Sequence, residues 1–202
     1  MIAWNKNIEN LNTILKSLSV WDNAPEIVGP DLAFSQWKAK TIRIRDRKKN
    51  VYLIGNGASA SMASHMAADL ANTHGVPTQV FTDSSLISAV ANDFGYENIF
   101  SEPLRLRMVT GEMLVAISSS GQSPNLLKAA EVAATLGGFV VTITGMSHDN
   151  PLRRLGHLNF YVPAETYGYA EAAHAAILHY WVDILGMDTS TKTDSGKDIG
   201  LN

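Results

Sequence analysis

Beyond residue 50 the chain alternates short, nearly continuous apolar runs with amphipathic segments of helical length, and the junctions carry Gly, Ser, Asp or Asn. Few folds satisfy such a pattern. A run that is apolar at almost every position must be buried on both faces, and the intervening helices are the elements that cover it. The expectation is therefore an α/β fold, a doubly wound parallel sheet of five strands with helices on both sides. The expected strands are Val51–Ile54, Thr78–Phe81, Met113–Ile117, Phe139–Ile143 and Leu158–Val162. The expected helices are Ser59–Thr73, Ser85–Asn92, Asn98–Met108, Pro124–Leu136 and Ala170–Leu185.

Residues 1–50 lack strand-like runs. Ile8, Leu11, Leu15 and Leu18 recur at helical spacing, and Trp21–Asp31 contains Pro25, Gly29 and Pro30, so two helices joined by a loop are expected as an N-terminal extension. The α/β unit then occupies 51–187, and the polar tail 188–202 is expected to fray.

With 202 residues, 46% of them hydrophobic, the chain can bury one substantial core. It contains no cysteine, which removes disulfides, thiol nucleophiles and thiolate metal sites; any metal must be held by nitrogen and oxygen donors. A net charge of −3 offers no field for nucleic acid, and the run Arg43, Arg45, Arg47, Lys48, Lys49 reads as a solvated helix end. No apolar stretch reaches the roughly 20 residues that a membrane span needs. Met1–Val20 has polar residues where a secretory leader would be apolar, so a cytoplasmic location is expected.

In open α/β sheets ligands bind beyond the carboxyl ends of the strands, where loops feed helix N-termini. Two such loops stand out. Gly55-Asn56-Gly57-Ala58-Ser59-Ala60-Ser61 follows the first strand, and its small residues let backbone N–H groups approach a ligand. It meets neither the dinucleotide nor the P-loop pattern, and a glycine turn joining strand to helix would look the same. The second loop, Ser118-Ser119-Ser120-Gly121-Gln122-Ser123-Pro124, gathers four hydroxyls at the start of a helix opened by proline. Hydroxyls plus a helix N-terminus can hold a phosphomonoester without Lys or Arg. Helix capping alone would use one hydroxyl of the four.

Together with Asn92-Asp93-Phe94-Gly95-Tyr96, these loops resemble the sugar isomerase (SIS) domain of phosphoheptose isomerases, over about Lys49 to Leu185. The resemblance implies that Ser118, Ser119, Ser120 and Ser123 bind a sugar phosphate. It implies that Asn56, Gly57, Ala58, Ser59, Asn92 and Asp93 line the substrate pocket. Ala58 stands where the family usually has glycine, a small change if its φ stays negative.

His65 and Asp69 lie four apart on one expected helix, so they share a face. Glu171 and His179, eight apart, lie on broadly one side of the last helix, with His174 on the far flank. Taken singly, each is more often a core histidine or a surface charge than a site residue. Jointly, they match positions that phosphoheptose isomerases use. Aldose–ketose isomerisation moves a proton between adjacent carbons through an enediol, which needs a base on carbon and an acid/base on the oxygens. The resemblance assigns Asp69 and His179 to that pair. It also implies that His65, Asp69, Glu171 and His179 converge on a divalent metal, with zinc expected, and that Glu171 contacts substrate.

The family usually carries Glu and Gln where this chain has Asp69 and Glu171. Asp is a methylene shorter and must sit closer or act through water, while Glu171 adds charge that favours a divalent metal. A substrate-contacting arginine frequent in the family near Asn72 and Thr73 is missing, and the loop before Glu171 is short. The leading expectation is a homotetrameric isomerase of sedoheptulose 7-phosphate. The alternatives are an isomerase of a different phosphosugar, or a noncatalytic SIS scaffold that binds a replication-initiator protein. Retention of His65, Asp69 and His179 argues against the scaffold.

Overall fold

The computed structural model describes residues 3–22 and 27–187; the tail expected to fray lies outside the described residues. The chain opens with α1 (Trp4–Lys16), β1 (Ser19–Asp22), β2 (Ile27–Val28) and α2 (Pro30–Asp46). Then follow β3 (Val51–Gly55), α3 (Ala58–His74), β4 (Thr78–Val80), α4 (Ser84–Phe94) and α5 (Ser101–Arg107). The last elements are β5 (Met113–Ser118), α6 (Pro124–Thr135), β6 (Phe139–Thr144), β7 (Leu158–Tyr161) and α7 (Tyr167–Gly186). Short 3-10 turns stand at Tyr96–Asn98 and Pro151–Arg154.

One sheet runs through the molecule in the order β2-β1-β7-β6-β5-β3-β4. The five strands from β3 to β7 pair in parallel, as the alternation predicts. β5 lies near the middle and all six of its residues are buried. Alternate residues feed two separate cores. Val51, Leu53, Val115 and Ile117 face one core with side chains of α2, α3 and α7, whereas Tyr52, Ile54, Leu114 and Ala116 face the other with α5 and α6. That is the period-2 geometry of a strand buried on both sides.

The sheet has seven strands rather than five. Residues expected to form a loop between the N-terminal helices supply β1, antiparallel to β7 with Val20 opposite Phe160, and β2 beyond it. β1 has four residues, polar at both ends, and β2 has two, so neither carries an apolar alternation that reads as a strand. Their work is to cover the β7 edge, which would otherwise present unpaired backbone groups. α2 is then fastened under the sheet: Trp37 and Trp181 stack with centroids 4.1 Å apart and planes 12° from parallel. Both are fully buried, and Trp181 donates its indole N–H to Thr41 Oγ1 at 3.1 Å. The basic run does end α2, with Arg43 and Arg45 in its last turn.

Candidate active site

The first ligand loop begins where β3 stops. Gly57 holds φ +55°, a region in which a side chain would strain the backbone, and it lets the chain turn sharply into α3. Ala58 is the first residue of α3, and positive φ among the described non-glycine residues is confined to Lys48 and Met146, so alanine replaces glycine there without strain.

The second loop follows β5. Gly121 N–H donates to Ser118 Oγ at 3.0 Å, and Gln122 N–H to Ser120 Oγ at 3.3 Å, which curls the serines around their own backbone. The 3-10 turn after β6 braces the curl, since Leu152 N–H donates to the Gly121 carbonyl at 3.1 Å. Ser123 occupies the N-cap position of α6 but makes no capping bond with its side chain, so its hydroxyl stays available to a ligand.

A cavity of about 190 Å³ opens between these loops and the first turns of α7. Asn56, Ser59, Ser118, Ser119, Ser120, Ser123, Tyr167 and Glu171 line it. Its single charged lining group is Glu171. Two further hollows share Asn56 with it. One is lined by Tyr96, Glu97, Ser123, Pro124 and Asn125, the other by Gly57, Phe81, Thr82, Ile87 and Tyr96 among others. Asn56 is thus the residue common to all three.

A second constellation sits where α3 and α7 touch. His65 Nε2 lies 3.3 Å from Asp69 Oδ2, one helical turn away, and the His179 ring reaches across from α7 to within 5.6 Å of the His65 ring, centroid to centroid. One donor atom from each of His65, Asp69 and His179 can be chosen so that all lie within 4.8 Å of one another. Two imidazoles and a carboxylate are a donor set that suits zinc, and three protein donors leave a position open.

Glu171 stands outside that group. Eight helical residues rise about 12 Å, and Glu171 opens into the serine-lined cavity while His179 meets the α3 pair. Asn92 and Asp93 lie exposed at the end of α4, the Asn92 amide donating to the Asp93 carboxylate at 2.8 Å, and neither lines the three hollows. From the same stretch, Tyr96 and Glu97 do so instead. Glu97, Asn125 and Tyr167 have no counterpart in the sequence expectations, and Tyr96 enters them only as the last residue of the Asn92–Tyr96 motif. Asn125, directly after Ser123-Pro124, was the most recognisable of them, because a helix N-terminus at an anion loop presents its first residues to the ligand.

His174 lies between the two sites on α7 and is fully buried. Burial pushes its pKa down to about 4; the Thr144 carbonyl works in the opposite direction, but neither ring nitrogen makes a hydrogen bond of normal geometry. It is a neutral core residue beneath the site.

Fold and site together define an α/β sugar-isomerase domain, and residues 41–145 match the SIS domain model. A phosphoheptose isomerase from Aneurinibacillus thermoaerophilus is 32% identical over 150 residues, covering 71% of this chain and 75% of that protein. The solved phosphoheptose isomerase from Neisseria gonorrhoeae is 26% identical with a TM-score of 0.69, covering 76% of this chain and 86% of that one. That from Francisella tularensis, at 24% identity, shares the fold with a TM-score of 0.75 over 90% and 95% of the two chains. The chain belongs to the phosphoheptose isomerase family of SIS proteins, and it is an enzyme of that kind, an aldose–ketose isomerase of phosphosugars. The scaffold alternative is set aside. Among the described residues, no helix is long and apolar enough to cross a membrane.

Proposed function

We propose that the chain interconverts sedoheptulose 7-phosphate and D-glycero-D-manno-heptose 7-phosphate, with phosphate held by Ser118, Ser119, Ser120 and Ser123 and proton transfer carried by Asp69 and His179. The observation that carries this reading is the meeting of His179 from α7 with His65 and Asp69 of α3.

In the ketose-to-aldose direction, Asp69 takes a proton from C1 while His179 donates one to the C2 oxygen, giving the enediol. His179 then takes the proton from the C1 oxygen, and Asp69 returns its own to C2. Asp69 Oδ2 faces His65, which leaves the second oxygen for the carbon proton. His65 thereby orients the base. Asn56, Ser59 and Glu171 face the polyol from the cavity wall and accept or donate hydrogen bonds to its hydroxyls.

His65, Asp69 and His179 would hold a divalent ion, with zinc the best match to two nitrogens and an oxygen, and Glu171 is the candidate for a fourth ligand from the substrate side. Such an ion would polarise the sugar's carbonyl and hydroxyl oxygens.

A homotetramer accompanies this reading, supported by the N-terminal helix. α1 buries no residue fully within the chain, and Trp4 and Ile8 are 73% and 44% exposed. Light scattering of the purified protein tests it. The cytoplasmic location goes with the same reading, and cell fractionation tests it.

A different phosphosugar is the second reading, favoured by Asp69 and Glu171 at positions where the family usually has Glu and Gln. One experiment separates the two. Purified protein is offered sedoheptulose 7-phosphate and a panel of other ketose phosphates, with and without chelator, and the aldose phosphate is followed. Turnover of the heptulose above all others is expected; preference for another sugar would transfer the assignment to it.

A further inference from the structure

Asn56 and Asn125 face each other amide to amide. Asn56 Nδ2 donates to Asn125 Oδ1 at 3.1 Å, and Asn125 Nδ2 donates back to Asn56 Oδ1 at 2.9 Å. The two residues come from different ligand loops. Asn56 follows β3, whereas Asn125 is the second residue of α6, two positions after Ser123.

Reciprocal pairing occupies one N–H and one lone pair of each amide. Asn125 is only 2% exposed, so it has little left to offer a ligand directly. Asn56 is half-buried, and its remaining N–H and lone pair border the three hollows that meet at this residue. The terminal torsion of an asparagine is broad and soft, and alone it would let Asn56 present either end of its amide to the sugar. The partner couples the two torsions, so Asn56 cannot turn unless Asn125 turns with it. A flip of Asn56 alone would set N–H against N–H and oxygen against oxygen within a nearly dry contact, where unpaired polar groups are costly.

We propose that Asn125 is a positioning residue for the isomerisation. It keeps the Asn56 carboxamide from turning independently at the sugar, and it ties the loop after β3 to the helix that opens the phosphate cradle. The proposal rests on the reading that Asn56 and the serine loop bind one phosphosugar, and it adds the residue that holds those two parts in register.

The test is a double-mutant cycle on the intact protein with sedoheptulose 7-phosphate, using Asn56→Ala, Asn125→Ala and the double variant, with thermal unfolding recorded for each. Asn125→Ala is expected to lower kcat/KM about tenfold, the size of one or two neutral hydrogen bonds. With Asn56 already alanine, the same change should cost almost nothing further, because Asn125 acts through Asn56. Asn125→Leu keeps the shape, carries neither donor nor acceptor, and adds no charge beside the phosphate cradle. It should show the same disappearance in the Asn56→Ala background, and it serves if the alanine variant fails to fold. Losses that multiply, or an unchanged kcat/KM in a folded Asn125 variant, would overturn the proposal while leaving the functional reading in place. No turnover by the wild type on any ketose phosphate would overturn the functional reading and this inference with it.

Discussion

His65 and His179 meet edge to face, ring centroids 5.6 Å apart and planes at 66°, across the contact between α3 and α7. In the proposed reaction neither helix suffices alone, because α3 contributes the carboxylate of Asp69 and α7 the imidazole of His179. Asp69→Asn and His179→Ala should each lower kcat by about a hundredfold or more, the usual loss for a general acid or base. Both side chains lie outside the core, and unfolding temperatures should move by no more than a few degrees. A His179→Ala enzyme with wild-type kcat would remove His179 from the proton-transfer pair.

On the proposed reading Glu171 serves chiefly the substrate, and the three-residue group the metal. A carboxylate that shares the serine-lined cavity with a phosphate repels it, so Glu171→Gln should lower KM severalfold, with kcat changed by less than tenfold. His65→Ala should reduce the zinc retained after dialysis, measured by atomic emission, far more than Glu171→Gln does. Equal losses of zinc in the two variants would instead place Glu171 among the principal ligands.

The sequence made the parallel sheet legible because a strand buried on both faces writes an unbroken apolar run, as Met113–Ile117 does. It made β1 and β2 illegible because edge strands of four and two residues have no room for periodicity. The same distinction holds within the site. His65 and Asp69 are one turn apart in one helix, so spacing alone puts them together. The amide pair of Asn56 and Asn125 spans 69 residues, and only the pairing of β3 with β5 brings their loops side by side. Glu171 and His179 share a side of α7, but side-sharing fixes direction and not height, which separates what the two residues face.

Arg153 ties β1 to the 3-10 turn after β6, whose Leu152 braces the serine loop. It is fully buried, with its guanidinium 3.7 Å from the Trp21 ring centroid and 4.2 Å from that of Tyr161. It donates to the His148 carbonyl at 2.8 Å and to Ser19 Oγ at 2.6 Å, and burial lowers its pKa. Two desolvated cation–π contacts and two charged hydrogen bonds oppose the cost of burying the cation, so the net loss on Arg153→Met should be about 2 kcal/mol. Because the adjacent Leu152 braces Gly121, KM for the phosphosugar should rise as well. Urea unfolding and steady-state kinetics check both parts, and a variant as stable as wild type would mean that the cation–π contacts do not repay the desolvation.

His174 should write a signature into the acid side of the stability curve. Its ring is fully buried with a pKa of about 4, against 6.5 for a free histidine. Between those values the unfolded chain binds a proton that the folded chain does not, so stability is complete above about pH 6.5 and falls as pH drops towards 4. A difference of that size corresponds to about 3 kcal/mol, levelling off below the folded value. His174→Leu removes the titrating group, and since neither ring nitrogen makes a hydrogen bond of normal geometry, the apolar replacement strands no partner. The variant should match the wild type within about 1 kcal/mol at pH 7.5 and exceed it near pH 4.5, measured by urea unfolding across the series. Parallel pH profiles for the two proteins would show that the His174 ring takes up its proton as readily in the folded chain as in the unfolded one.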